Sequence, residues 1–144
     1  MKALKSVKLL IVHCVANRCD KPFSVEKLIA CGKAKYGQCS YHYYVRYDGT
    51  VVPLLPESVQ GVHARGYNHC SLGIVYEGGL DENGKAADTR TEAQKHALYE
   101  LLKALARDYP EARILGHCEL PDVHKLCPCY TASKEYADLQ PQAR

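Results

Sequence analysis

The chain has 144 residues, 47% hydrophobic and 24% charged, an ordinary globular composition. That length suits one domain rather than two, burying roughly 68–70% of the unfolded surface. Its 19 basic and 16 acidic residues leave a net charge of +3, with no run of Lys and Arg to suggest nucleic acid, though a mild positive charge suits an anionic polymer.

The longest apolar run, Leu9 to Val12, is far too short to span a membrane. Met1-Lys2-Ala3-Leu4-Lys5 lacks the apolar stretch of an export signal, so synthesis in the cytoplasm without a signal peptide is expected. Eight cysteines would suggest a disulfide framework in a small secreted chain, but the absence of an export signal argues for free thiols. No CxxC pair occurs, which excludes a zinc ribbon and a thioredoxin-like site.

Taken in chain order, Lys8 to Val15 is an apolar, β-branched run typical of a strand buried on both faces. Ser24 caps a helix carrying Val25, Leu28, Ile29 and Gly32 at helical spacing, ending near Tyr36-Gly37. Tyr41 to Tyr47 alternates as a strand, with Tyr41, Tyr43, Val45 and Tyr47 on one face and His42, Tyr44 and Arg46 on the other. Asp48-Gly49 turns the chain into a further strand at Thr50-Val51-Val52, and Ser71 to Glu77 reads as another, closed by Gly78-Gly79. Thr91 and Gln94 form a capping box for a helix whose apolar stripe is Ala97, Leu98, Leu101, Leu102 and Leu105. A short strand at Arg113-Ile114-Leu115 then runs into Gly116-His117, and the tail from Thr131 to Leu139 holds a last short helix. Strands interleaved with helices, one pair a hairpin, predict an α/β fold: a single mixed β-sheet flanked by helices.

Chemistry collects at the strand ends of such a sheet. His13 ends the most apolar strand, and His117 follows the last one. The segment from Gly116 to Cys129 adds thiols downstream, and two imidazoles with one thiolate form a common catalytic zinc set. By spacing, Cys118, His124, Cys127 and Cys129 all compete for the third position. Alternation sets His42 on the face opposite Tyr41 and so outside the site, while His96 and Lys103 face solvent on the second helix. Cys14 lies next to His13 on a strand, where neighbours face opposite ways, so the two do not make a nucleophile–base pair.

Seven segments occur in an order that resembles a known family. They are Ile11-Val12-His13-Cys14, Tyr41-His42-Tyr43, Arg46 to Val51, His63-Ala64-Arg65-Gly66-Tyr67-Asn68, Ser71-Leu72-Gly73-Ile74, Gly78-Gly79, and Gly116-His117 through Cys127-Pro128. Together, over about residues 8 to 130, they are similar to the type 2 N-acetylmuramoyl-L-alanine amidases, relatives of peptidoglycan recognition proteins and of amidase-type phage lysozymes. The resemblance implies one amidase domain over residues 1–144, with zinc (Zn2+) held by His13, His117 and Cys127. It places the chain with the members that use cysteine, where many others have aspartate. Tyr41 matches the family's catalytic tyrosine and Lys125 the catalytic lysine of the phage-type members. The loop of His63 and Asn68 is then expected beside the substrate groove.

The implied reaction is hydrolysis of the amide joining N-acetylmuramic acid to L-alanine, in the wall or its fragments, after synthesis in the cytoplasm. The implied partner is peptidoglycan or a muropeptide, with neither nucleic acid nor membrane. The competing reading is a module that binds peptidoglycan without cutting it, as in relatives lacking a ligand. The full ligand set with Tyr41 and Lys125 argues against that reading.

Overall fold

The structure, a computed structural model, describes residues 1–121 and 123–143. β1 (Leu9–Cys14) is the apolar run expected from the sequence, shorter by one residue at each end. β2 (Asn17–Arg18) follows directly. α1 (Val25–Tyr36) starts where the Ser24 side chain accepts the Lys27 amide, and it stops at Gly37, whose positive φ of 77° lets its N–H return to the Lys33 carbonyl. β3 (Tyr43–Val45) and β4 (Val51–Pro53) form the hairpin around Asp48-Gly49. β5 (Ser71–Tyr76) and β6 (Gly79–Leu80) are separated by a glycine turn. α2 (Glu92–Asp108) opens with the expected Thr91–Gln94 capping box. β7 (Arg113–Gly116) runs into a short 3-10 turn at His117–Glu119. α3 (Ala132–Glu135) and a 3-10 turn at Ala137–Leu139 make up the tail read as one short helix.

Five strands make the main sheet in the order β4-β3-β5-β1-β7, all parallel except β4. Helices cover both faces, which is why the central strands are apolar without alternation. On one face Leu10, Val12, Leu72, Ile74 and Ile114 pack against Leu98, Leu102 and Leu105 of α2 and against Tyr136 and Leu139 of the tail. On the other, Tyr44 and Val75 meet Leu28 of α1, while Ile11 meets Ala64 and Leu120 from two loops. His13 alternates with Ile11 and so faces this second, loop-covered side.

Two features differ from the sequence reading. β2 and β6 form a separate parallel pair, Asn17 with Gly79 and Arg18 with Leu80, too short to leave a periodic signal. The strand expected from Tyr41 begins only at Tyr43. Tyr41 therefore escapes the alternation and packs on the α1 side with Tyr44, whereas Tyr43 packs on the α2 side.

Candidate active site

Register builds the centre of the site. β1 and β7 are parallel, with Val12 beside Gly116, so the next residues, His13 and His117, emerge side by side at the carboxyl ends of their strands. Their ring centroids are 4.6 Å apart. The chain leaves His117 through a turn held by Glu119, whose carboxylate accepts the amides of Gly116 at 2.9 Å and Ser133 at 3.1 Å. It returns so that the Cys118 amide donates to the Cys127 carbonyl at 2.8 Å. The Cys127-Pro128 bond is cis, and Pro128 packs over the Cα of Gly116, where a Cβ would lie 2.7 Å from the proline Cδ. This return delivers the Cys127 thiol to the two histidines. One donor atom from each of His13, His117 and Cys127 lies within 4.8 Å of the others, the only such group among the described residues.

The four candidates left open by spacing are thereby separated. Cys129 turns its thiol to the Gly79 carbonyl at 3.4 Å, Cys118 shares a small hollow with Cys129, and His124 lines the groove outside the cluster. All eight cysteines are free thiols.

The electrostatics prepare these three groups to bind a cation. The Cys127 thiol is held well below its ordinary range, first by its hydrogen bond with the Cys14 thiol and then by His117 and His13. The Cys14 amide adds a hydrogen bond to the Cys127 sulfur at 3.0 Å, which also favours the thiolate. Cys14 is correspondingly pushed up by Cys127 and by burial, so the charge sits on Cys127. Burial holds His13 below its usual value and keeps it neutral, a ligand-competent state. Two imidazoles and a thiolate match the donor set that zinc takes in catalytic sites.

Tyr41 stands edge-on to His13 with ring centroids 5.2 Å apart. Burial, then the nearby cysteines, push its hydroxyl up, so it keeps its proton through neutral pH. A groove of about 710 Å3 reaches the cluster at His117 and is bordered also by His63, Arg65, Asn68 and Lys125 and by the exposed Tyr36. Lys125 thus shares the groove with His117.

Asn68 borders the groove too, but its side-chain oxygen accepts the amides of His63 at 3.0 Å and Ala64 at 2.9 Å, holding that loop in shape. The His63 ring bonds to His13, with Nδ1 and Nε2 2.9 Å apart. Only part of its edge reaches the groove; both nitrogens are engaged inside, and burial with three neighbouring imidazoles holds it well below its usual pKa.

Sequence reasoning left out His42. It is fully enclosed directly behind His63, with ring centroids 6.0 Å apart, because the backbone twists before β3 begins. No spacing among the chain's seven histidines signalled that those at 13, 42, 63 and 117 would meet.

A model of the N-acetylmuramoyl-L-alanine amidases matches residues 3–130 of the chain. The chain belongs to that family. The amidase is 33% identical to the endolysin of Escherichia phage T7 over 130 residues, covering 90% of this chain and 85% of the endolysin. It is 24% identical to a peptidoglycan-recognition protein of Drosophila melanogaster over 131 residues, covering 83% and 71%. In fold it matches the N-acetylmuramoyl-L-alanine amidase LysC of Clostridium intestinale, with a TM-score of 0.79 and 21% identity across all of this chain and 92% of that one. The amidase is accordingly a hydrolase of peptidoglycan amide bonds. No helix among its described residues is long and apolar enough to cross a membrane.

Proposed function

We propose that the amidase is a single zinc-dependent domain that hydrolyses the amide between the lactyl group of N-acetylmuramic acid and L-alanine. The convergence of His13, His117 and Cys127, with His117 lining the groove, carries this reading. Zinc held by these three residues would supply Lewis acidity for the scissile carbonyl and for an attacking water at neutral pH. Of the chain's own groups, His13 and His117 would offer ring nitrogen donors and Cys127 a thiolate. Tyr41, protonated at neutral pH, donates its hydroxyl hydrogen bond to the oxygen that gains charge in the tetrahedral intermediate. The Lys125 ammonium, on the groove wall beside His117, is the second donor to that charge. Asn68 shapes the groove loop from within, and that loop gives His63 and Arg65 their places against the substrate.

The kinship with an endolysin supports action on the wall after synthesis in the cytoplasm. Peptidoglycan or a soluble muropeptide is the partner, with no role for nucleic acid. The test is mass spectrometry of peptidoglycan and of soluble muropeptides incubated with the zinc-loaded chain. Free peptides beginning with L-alanine, beside glycan with intact muramic acid, are expected, and a chelator should abolish them. Untouched substrate of both kinds would instead identify a binding module.

A further inference from the structure

The His63 ring is held at both nitrogens, and the partners determine where every proton lies. At the far end, the Ser71 hydroxyl lies 2.7 Å from the Tyr67 carbonyl. A carbonyl only accepts, and a hydroxyl has one proton, so Ser71 spends that proton on Tyr67. The contact of Ser71 Oγ with His63 Nε2, 3.2 Å, must then be a hydrogen bond donated by Nε2–H. The neutral ring has no second proton, so His63 Nδ1 is an acceptor. Its partner at 2.9 Å is His13 Nε2, which must donate. His13 is therefore the Nε2–H tautomer, which leaves Nδ1 without a proton and able to act as the donor atom of the ring.

The seat of His63 is equally specific. A Cβ on Gly73 would lie 2.7 Å from Cγ and 2.9 Å from Nδ1 of the His63 ring, so only glycine admits the ring at this depth. Gly73 is itself fixed from behind. Its amide donates to His42 Nδ1 at 3.0 Å, and His42 Nε2 lies 2.7 Å from the Val59 carbonyl, to which it donates. His42 is thus also locked as one tautomer.

We propose that His63 is a positioning residue for the metal centre, part of a relay from the Tyr67 carbonyl through Ser71 and His63 that fixes the tautomer of His13 and aims its Nδ1 at the ion. The proposal rests on the reading of His13 as a metal ligand. A ligating histidine ordinarily gives its second N–H to a carboxylate, a carbonyl or water. Here a neutral imidazole takes that place. No carboxylate enters the relay, so it orients His13 without adding negative charge behind a site that already contains a thiolate. His63 acts at the metal through His13, beyond any contact it makes with substrate in the groove.

Two measurements test this. Long-range proton–nitrogen correlation spectra of the metal-free full-length chain read the tautomer of each ring, and His13 and His63 are both expected as Nε2–H forms. Competition with a chromophoric chelator reads zinc affinity. His63→Ala should weaken zinc binding by about 10- to 100-fold. His63→Asn, whose Oδ1 falls where Nδ1 lies and still accepts from His13, should recover most of that loss. Ser71→Ala leaves the ring volume in place and should weaken binding by less than His63→Ala, which keeps the test sound if the larger truncation unfolds the chain. An Nδ1–H form of His13 in the unaltered chain would overturn the proposal. So would zinc affinity of His63→Ala within about twofold of the unaltered chain, or His63→Asn binding as weakly as His63→Ala. Failure of the unaltered chain to bind zinc would overturn the metal reading itself, an outcome the metal-free spectra separate from failure of the relay.

Discussion

Tyr41 meets the edge of His13 from the one stretch of backbone between α1 and β3 that lies outside the sheet, and its raised hydroxyl pKa makes it a donor throughout the working range. Tyr41→Phe removes that donor and leaves the ring that packs beside Leu28 and Tyr44. Loss of one oxyanion donor should lower kcat by about 10²- to 10³-fold. Zinc content by atomic absorption should stay at the unaltered level; an unchanged kcat would remove Tyr41 from the reaction. The choice among the thiols is tested in the same way. Cys127→Ala should lose zinc and activity, while Cys129→Ala, whose thiol faces the Gly79 carbonyl, should keep both. Zinc retained by Cys127→Ala would break the ligand assignment. At this scale the sequence made the histidines at the strand ends legible, because position in a parallel sheet follows from the pattern alone. Spacing alone left Cys118, His124, Cys127 and Cys129 equivalent and only the resemblance singled out Cys127, because the fold of the return loop decides which side chain arrives. The bonds made by His63 and Asn68 were hidden for the same reason: their partners, His13 and the loop's own amides, are not encoded in spacing.

Among the elements, β1, both helix starts and the hairpin could be read directly, since each rests on local chemistry: an apolar run, a capping hydroxyl, a glycine at positive φ. The two-residue strands β2 and β6 carry no such signal, and the early end of alternation before Tyr43 is a backbone event that places His42 inward. The exposed edge of the sheet shows a device that local pattern cannot reveal. β7 is an edge strand, and the Gln140 side-chain amide pairs with it as a neighbouring strand would, accepting the Ile114 amide at 2.8 Å and donating to the Ile114 carbonyl at 2.7 Å. Both groups are buried, so Gln140→Ala should cost about 2–6 kcal/mol in denaturant unfolding, the sum of two unsatisfied polar groups. Gln140→Glu keeps the acceptor for Ile114 N–H but sets an oxygen against the Ile114 carbonyl, so it should not rescue the loss. Stability of Gln140→Glu equal to the unaltered chain would show that the pairing contributes nothing.

For the molecule as a whole, the same burial that holds His13, His42 and His63 below their ordinary value sets its limit in acid. His13, His42 and His63 are all held below the ordinary value near 6.5, in each case chiefly by desolvation. His42 is the simplest of them to test, being enclosed and out of contact with the three ligands. Its folded pKa is depressed, so below about pH 6.5 the unfolded chain takes up a proton that the folded chain resists. Stability contributed at neutral pH is then lost as pH falls from about 6.5 towards the folded pKa, at up to about 1.4 kcal/mol per pH unit. The lowered Cys127 thiol acts in the same sense, and bound zinc steepens the dependence because its ligands must be deprotonated. Denaturant unfolding of the metal-free chain at several pH values between 7.5 and 5 should therefore show falling stability, with added zinc raising the midpoint most at the neutral end. His42→Asn, whose Oδ1 can still accept the Gly73 amide, should be less stable at pH 7.5 yet show a shallower fall towards pH 5. Parallel slopes for the two chains would mean that His42 titrates alike in both states and that the acid limit comes from elsewhere. A shallower slope would tie acid sensitivity to the buried imidazole that fixes Gly73, the glycine whose bare Cα lets His63 reach His13.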